Sequence, residues 1–225
     1  MTFLPYNQDV DATVKEIMIK IRVAMNGVTS ELMSDRGVKY KTNFGVAFPD
    51  LQKIAQQYSP NELVAKHLWH KSVRETKILA ILLYPAQALT LEKSITWISD
   101  CDTVELIEYL CAHLVVFTPF VPTLITQLAR ISEEKQIIAA YTLAAHYCKR
   151  NKPELTEEFS PLLSFSSIHI TAKLAQSMLY FLLYAYQKNE FKENIINEMQ
   201  NLKKNQSENH LAMWLYTEFE ALSQD

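Results

Sequence analysis

Residues 43–83 read NFGVAFPDLQKIAQQYSPNELVAKHLWHKSVRETKILAILL, and this stretch decides the fold class. Pro49 suits the first position of a helix, and Ser59-Pro60 suits the start of a second helix that reaches Trp69. Ser72 is placed to cap a third helix. Apolar residues recur at helical spacing in each segment, without the alternation of a strand. The stretch therefore predicts three consecutive helices joined by short turns.

Glycine is scarce throughout the chain. The sequence of 225 residues holds three glycines, Gly27, Gly37 and Gly45, and none follows Gly45. Average use near 7% would give about sixteen. Tight hairpins and phosphate-cradling loops depend on the left-handed backbone that glycine adopts most easily. This composition argues against a dinucleotide-binding fold or a nucleotide triphosphate loop, and it favours helices.

Segments with helical spacing follow one another to the end of the chain. Similar patterns containing alanine recur at Lys77–Ala80, Leu110–Leu114, Gln136–Ala139 and Lys173–Ala175. A recurrence of roughly 30 to 36 residues is typical of two-helix repeats stacked into a solenoid. We predict an all-α fold of about six helix pairs, an α-α superhelix, in a single domain over residues 1–225. An irregular helical bundle is the alternative that the same composition permits.

Charge and apolar runs restrict the functional classes. The net charge is −3, but residues 1–77 hold 11 Lys and Arg against 8 Asp and Glu, whereas the remainder holds 11 against 17. An anion-binding surface is therefore expected in the first third. The apolar run Met178–Tyr186 is short for a membrane span, and the first ten residues lack a signal-peptide pattern. With three scattered cysteines, these features predict a cytoplasmic protein without membrane contact.

The stretch from Asn43 to Leu83 resembles the DNA alkylation repair family, the AlkD-like HEAT-repeat DNA glycosylases. The resemblance covers about forty residues in order and spacing, and the helical pattern extends it over most of the chain. It rests on an aromatic-Gly-Val-x-x-Pro-x-Leu segment and on four short matches after it: Phe44, Gly45, Val46, Pro49 and Leu51, then Lys53–Ala55, Leu68-Trp69, Arg74-Glu75 and Leu79-Ala80.

This resemblance implies a HEAT-like solenoid whose concave face holds duplex DNA. It also implies a base-excision site made of a carboxylate, tryptophans and arginines, because a carboxylate stabilises the oxocarbenium ion formed during cleavage. Glu105 takes the position of the carboxylate, and Cys101 stands where an aromatic residue is expected. The segments expected to supply an arginine and a tryptophan, Ile137–Ala140 and Ser177–Phe181, contain neither.

Other interpretations of these residues remain open. Asp102-x-x-Glu105 has the form of a capping box, which would give Glu105 a structural role. Five acids lie between Glu92 and Glu108 beside one base, a balance that repels phosphates. His67 and His70 are spaced to share a metal, but no third ligand is suggested, and packing or surface roles are favoured. The aromatic residues of Tyr180–Tyr186 are interpreted as core.

The leading functional hypothesis is a DNA-binding helical-repeat protein of the alkylation-repair family with a degenerate, weak or inactive base-excision site. Glu105 is the candidate catalytic residue, and no metal or cofactor is predicted. Basic residues of the first third are the candidate DNA contacts: Lys41, Lys53, Lys71, Arg74 and Lys77, with Lys39 beside them. The alternative is a HEAT-repeat scaffold that binds a protein partner in its groove and has no nucleic-acid role.

Overall fold

A computed structural model describes residues 7–151 and 157–223 of the chain. Within these residues twelve α-helices and three short 3-10 helices occur, and no strand is present. The all-α prediction is confirmed. The α-helices are α1 Gln8–Val23, α2 Gly27–Asp35, α3 Phe48–Ala55, α4 Glu62–Trp69, α5 Arg74–Leu83, α6 Leu91–Ser99, α7 Val104–His113, α8 Val121–Ala129, α9 Glu134–Asn151, α10 Ala172–Tyr186, α11 Asn189–Asn205 and α12 His210–Leu222. The 3-10 helices are Ala86–Ala88, Val115–Phe117 and Glu157–Leu163.

The contacts divide the chain into two compact units. Unit 1 comprises the described residues up to Thr90 together with Cys101–Thr118, and unit 2 comprises Leu91–Asp100 and the described residues from Pro119 onward. The single domain over residues 1–225 stays a prediction.

Unit 1 is built from α1 to α5 and α7. Helix α4 packs on α5 and on α1, while α3 and α7 pack on α5. The core is aliphatic, and Ile17, Leu51, Leu68 and Ile78 are fully buried. Each such side chain stabilises the fold by about 1.5–3 kcal/mol relative to exposure, which short helices require because they are marginal alone.

Unit 2 is built from α6 and α8 to α12. Helix α9 packs against α6, α8 and α10, and α10 packs in turn against α11 and α12. Its core is more aromatic than that of unit 1. Tyr141, Phe165 and Phe181 are fully buried, and the Tyr141 hydroxyl donates to the carbonyl of Leu162 at 2.8 Å. Ala139 and Ala140 of α9 and Ala175 of α10 are buried, and these two helices pack against each other.

The starts of α2 and α5 depend on different partners. Asn26 caps α2, its side chain accepting from the Thr29 N–H. Helix α5 begins at Arg74, and the expected Ser72 cap is absent. The Thr42 carbonyl instead accepts the Arg74 N–H at 3.0 Å. A distant loop takes over the role of the cap, which local sequence does not reveal.

Candidate functional site

The candidate site in unit 1 begins with the loop that precedes α3. The fully buried carboxylate of Glu75 accepts the N–H of Phe44 at 3.1 Å and the N–H of Val46 at 3.2 Å. Gly45 lies between these donors with a φ of +70°, and a Cβ there would lie 2.1 Å from the Asn26 carbonyl oxygen. Only glycine suits this position, because it combines left-handed backbone with close contact. The loop is thereby fixed to the start of α5.

Arg74 joins this loop to α7. Its Nε donates to Glu105 Oε2 at 2.9 Å, and its Nη2 donates to Glu105 Oε1 at 2.6 Å. Its Nη1 donates to the Val46 carbonyl at 3.0 Å and lies 3.3 Å from Glu75 Oε1. Burial alone would lower the pKa of the guanidinium, but pairing with Glu105 and Glu75 raises it above its ordinary value. The side chain is 4% exposed, so Arg74 lies in the interior and not on an exposed first turn.

Glu105 lies in the first turn of α7 with both carboxylate oxygens occupied. Besides Arg74, the Tyr40 hydroxyl donates to its Oε2 at 2.5 Å. Burial, followed by the charge of Glu105, raises the pKa of Tyr40. The Tyr40 oxygen also lies 2.6 Å from the Thr103 hydroxyl, which accepts the Leu106 N–H at 3.3 Å. A chain of hydrogen bonds thus runs from the start of α7 to the carboxylate.

The capping-box interpretation of Asp102 and Glu105 is wrong. The residue that caps α7 is Thr103, one position later than expected. Asp102 pairs instead with Lys77 at 2.7 Å, and Glu105 pairs with Arg74. Both acids therefore hold α7 to α5.

A group of aromatic rings missed by sequence reasoning lies beside this carboxylate. The Phe48 ring stacks on Tyr109 with centroids 4.4 Å apart, and the His113 ring lies 4.8 Å from Phe48. All three side chains are half-buried. The available signal was the spacing of Glu105, Tyr109 and His113 at successive four-residue steps of one helix, which places them on one face.

Cys101, in the position where the resemblance implies an aromatic ring, is fully buried. All three cysteines are buried, and burial raises the pKa of the Cys111 thiol and raises that of Cys148 to about 12. Cys101 offers no exposed surface to a ligand.

The candidate DNA contacts fall into two groups, those that form an ion pair and those that do not. The first group contains Lys53, which pairs with Asp50 at 2.8 Å, and Arg74 and Lys77, whose pairs are described above. By contrast, Lys41 is exposed and Lys71 is half-buried. None of the ion pairs found in the described residues involves Lys41, Lys71 or the exposed Lys39.

In unit 2, α9 and α10 border an open groove with a volume of about 610 Å³. Tyr180 at its edge is 61% exposed, so its interpretation as a core residue is wrong. The neighbouring Phe181 is fully buried, as predicted. In the part of the chain that the structure describes, no group of three potential metal ligands is found, and no helix is long and apolar enough to cross a membrane.

A protein-family model and a solved structure match this chain. Residues 30–133 match the family model described as DNA alkylation repair enzyme. A solved structure described as a new family of proteins related to the HEAT-like repeat DNA glycosylases with affinity for branched DNA structures matches with a TM-score of 0.72. It is 14% identical, and the match covers 84% of this chain and 83% of that one, so it confirms the HEAT-like fold. No curated protein matches the chain.

Proposed function

We propose that the protein is a DNA-binding member of the DNA alkylation repair enzyme family, whose model matches residues 30–133, and that it has little or no base-excision activity. The observation that carries the second part is the state of Glu105. Its charge is compensated by Arg74 at 2.6 and 2.9 Å, and Tyr40 donates a further hydrogen bond to it. A carboxylate that stabilises an oxocarbenium ion acts through an uncompensated charge near the sugar. An adjacent guanidinium opposes this role.

Two other positions at which the resemblance implies site residues support the same proposal. The resemblance implies an aromatic ring at Cys101, but that side chain is buried in the core. It implies an arginine near Ile137–Ala140, but three residues of that segment, Ile138, Ala139 and Ala140, are buried and apolar. A cationic base would lack both the ring face, worth about 0.5–2 kcal/mol, and the backbone clamp.

DNA binding itself is supported by the family and by the unpaired lysines of unit 1. The related solved structure is described as having affinity for branched DNA, so a branched duplex is a suitable probe beside a linear one. Lys39, Lys41 and Lys71 lie on or beside the loop and turn that meet at the start of α5, where the Arg74 N–H contacts Thr42. Binding through such contacts weakens as salt concentration rises.

The experiment incubates the purified protein with duplex DNA carrying alkylated purines and measures released base, in parallel with binding to the same duplex. We expect binding without release, both for the wild type and for Glu105→Gln. Release by the wild type that disappears in Glu105→Gln would contradict the proposed loss of activity. Absence of binding to both linear and branched duplexes would contradict the DNA-binding function.

One observation favours the alternative of a protein-binding scaffold. Five apolar side chains of α1, α2 and the turn between them are exposed: Ile19, Val23, Met25, Val28 and Leu32. Helix α2 has no buried residue, although a helix of this length depends on packing for stability. Sedimentation of the wild type and of Val23→Asp tests whether this surface binds a second copy. A dimer that Val23→Asp dissociates would favour the scaffold, and a monomer at all concentrations would disfavour self-association.

A further inference from the structure

The groove of unit 2 combines an exposed tyrosine ring and a half-buried one with two lysines. Its lining includes Tyr180, Leu183, Tyr184, Gln187 and Lys188 from the region of α10 and Lys149 from α9. Neither the family match, which ends at residue 133, nor the candidate DNA contacts of unit 1 involve this surface. The groove is open to solvent along one side of the helix pair, which suits an extended ligand more than a compact one.

The rings and one lysine follow a single face of α10 and the turn after it. Tyr180, Tyr184 and Lys188 succeed one another at four-residue spacing, which aligns them along the helix. The Lys188 ammonium lies 5.6 Å from the centre of the Tyr184 ring, and burial raises the pKa of Tyr184. Tyr180 is 61% exposed, so its ring is accessible to solvent.

The charge of the groove selects an anionic ligand. Lys149 and Lys188 line it, and among the described residues of the lining there is no carboxylate. Unit 2 lies in the acidic part of the sequence, so a surface with this sign is locally unusual. His146, one turn before Lys149, has a pKa that is lowered by burial and by the Lys149 charge.

We propose that this groove binds unpaired nucleotides, with a base stacked on Tyr180 and the adjoining phosphates in contact with Lys149 and Lys188. Flat rings beside lysines match single-stranded nucleic acid, since every base offers a face for stacking and every linkage a charge. Paired bases in a continuous duplex hide these faces, whereas a strand end or a branch point exposes them. The inference rests on the proposed DNA-binding function and adds the form of DNA that unit 2 recognises.

The test measures fluorescence anisotropy of a labelled single-stranded oligo(dT) and of a linear duplex of the same length, each with the full-length protein. Tyr180→Ala is expected to weaken binding of the single strand roughly tenfold and to leave duplex binding unchanged. Tyr180→Trp should retain the affinity, because it keeps the stacking face. The double variant Lys149→Glu, Lys188→Glu should weaken single-strand binding. It should also lower the slope of log affinity against log salt by the equivalent of about one phosphate contact for each lysine.

Matched controls lie elsewhere in unit 2. Trp214→Ala removes another exposed ring from α12, and Lys204→Glu reverses an exposed charge on α11. Both should leave the single-strand affinity unchanged. An unchanged affinity in Tyr180→Ala, or an equal loss in Trp214→Ala, would overturn the inference.

The two proposals fail in different ways. Normal duplex binding together with no measurable binding of oligo(dT) would refute the unpaired-nucleotide site and leave the proposed function intact. If neither DNA binds, the proposed function fails and the inference fails with it. Circular dichroism of each variant confirms that the helices remain folded.

Discussion

The two units of the protein place their cationic side chains in different environments. In unit 1, Arg74 is buried and pairs with Glu105 and Glu75, so its charge stabilises the packing of a loop and two helices. In unit 2, Lys149 and Lys188 line an open groove in which no carboxylate is found among the residues that the structure describes. Buried, paired charges favour one conformation, whereas uncompensated charges in a groove are available to a ligand. Within the range matched by the family model, Arg74 is therefore a structural residue, whereas Lys149 and Lys188 lie outside that range and line a groove.

The largest expected effect concerns the buried carboxylate of Glu75. Glu75→Gln replaces an oxygen that accepts backbone N–H groups by an amide that donates, and it removes one partner of Arg74. We expect the free energy of unfolding to fall by about 3 kcal/mol, measured by urea denaturation followed by circular dichroism.

Glu198 in unit 2 is the matched control for Glu75. It also accepts two backbone N–H groups, from Phe165 at 2.8 Å and Ser166 at 2.9 Å, but it is only half-buried. Glu198→Gln should lower stability by about 1 kcal/mol. Equal losses in the two variants would show that the Arg74 network adds nothing to the anchoring of the loop.

The next effect concerns the geometry of the Arg74–Glu105 pair. Arg74→Lys keeps the charge but loses the two parallel hydrogen bonds to Glu105 and the bond to the Val46 carbonyl. A loss of about 2 kcal/mol in unfolding free energy is expected, because one ammonium cannot replace a planar fork. Lys53→Gln, which breaks the exposed pair with Asp50, should change stability by less than about 0.5 kcal/mol. A tolerated Arg74→Lys would show that charge alone holds the site.

A smaller effect is expected from the unpaired lysines of unit 1. Lys41→Gln combined with Lys71→Gln should weaken duplex binding by roughly tenfold and lower the slope of log affinity against log salt by about two. Lys53→Gln is the control, since Asp50 already offsets its charge. Anisotropy titrations over a range of salt concentrations measure both quantities. An identical loss of duplex affinity in Lys53→Gln would show that the DNA contacts extend over the surface of unit 1 and do not centre on Lys41 and Lys71.

The smallest effect is a pH dependence that originates at His146. Burial and Lys149 lower the pKa of His146 below its ordinary value of 6.5, so the unfolded chain binds the proton more tightly than the folded protein. Stability should therefore increase as the pH rises through that region and should decrease below it. The difference between about pH 5 and pH 7.5 should be less than about 1 kcal/mol, and His146→Gln should remove it. A pH profile unchanged by this substitution would assign the dependence to other groups.

The sequence predicted the helices well and their connections less well. Apolar spacing predicted about six helix pairs, and twelve α-helices occur in the described part of the chain, because burial of one helix face is a local pattern. The cap of α5 was missed because its acceptor is the Thr42 carbonyl, 32 positions before Arg74. Local propensity contains no information about such a partner.

The candidate site was predicted by position but not by contacts. Glu105 and Arg74 were both selected, yet their pairing depends on how α5 packs against α7. The exposure of Tyr180 was missed because four aromatic residues in a short segment resemble a core helix. Only the packing of α10 separates the buried Phe181 from the exposed Tyr180.

The burial of all three cysteines has a practical consequence for measuring these properties. Thiol-reactive dyes need an accessible thiolate, and Cys101, Cys111 and Cys148 are enclosed in the helical core. Gln187→Cys at the edge of the groove would therefore present one reactive sulfur on an otherwise inert protein. A fluorophore attached there reports on the surroundings of Tyr184 and Lys188 without removing any native side chain from the core. The fluorescence of this label would allow ligand binding in the groove to be followed in real time.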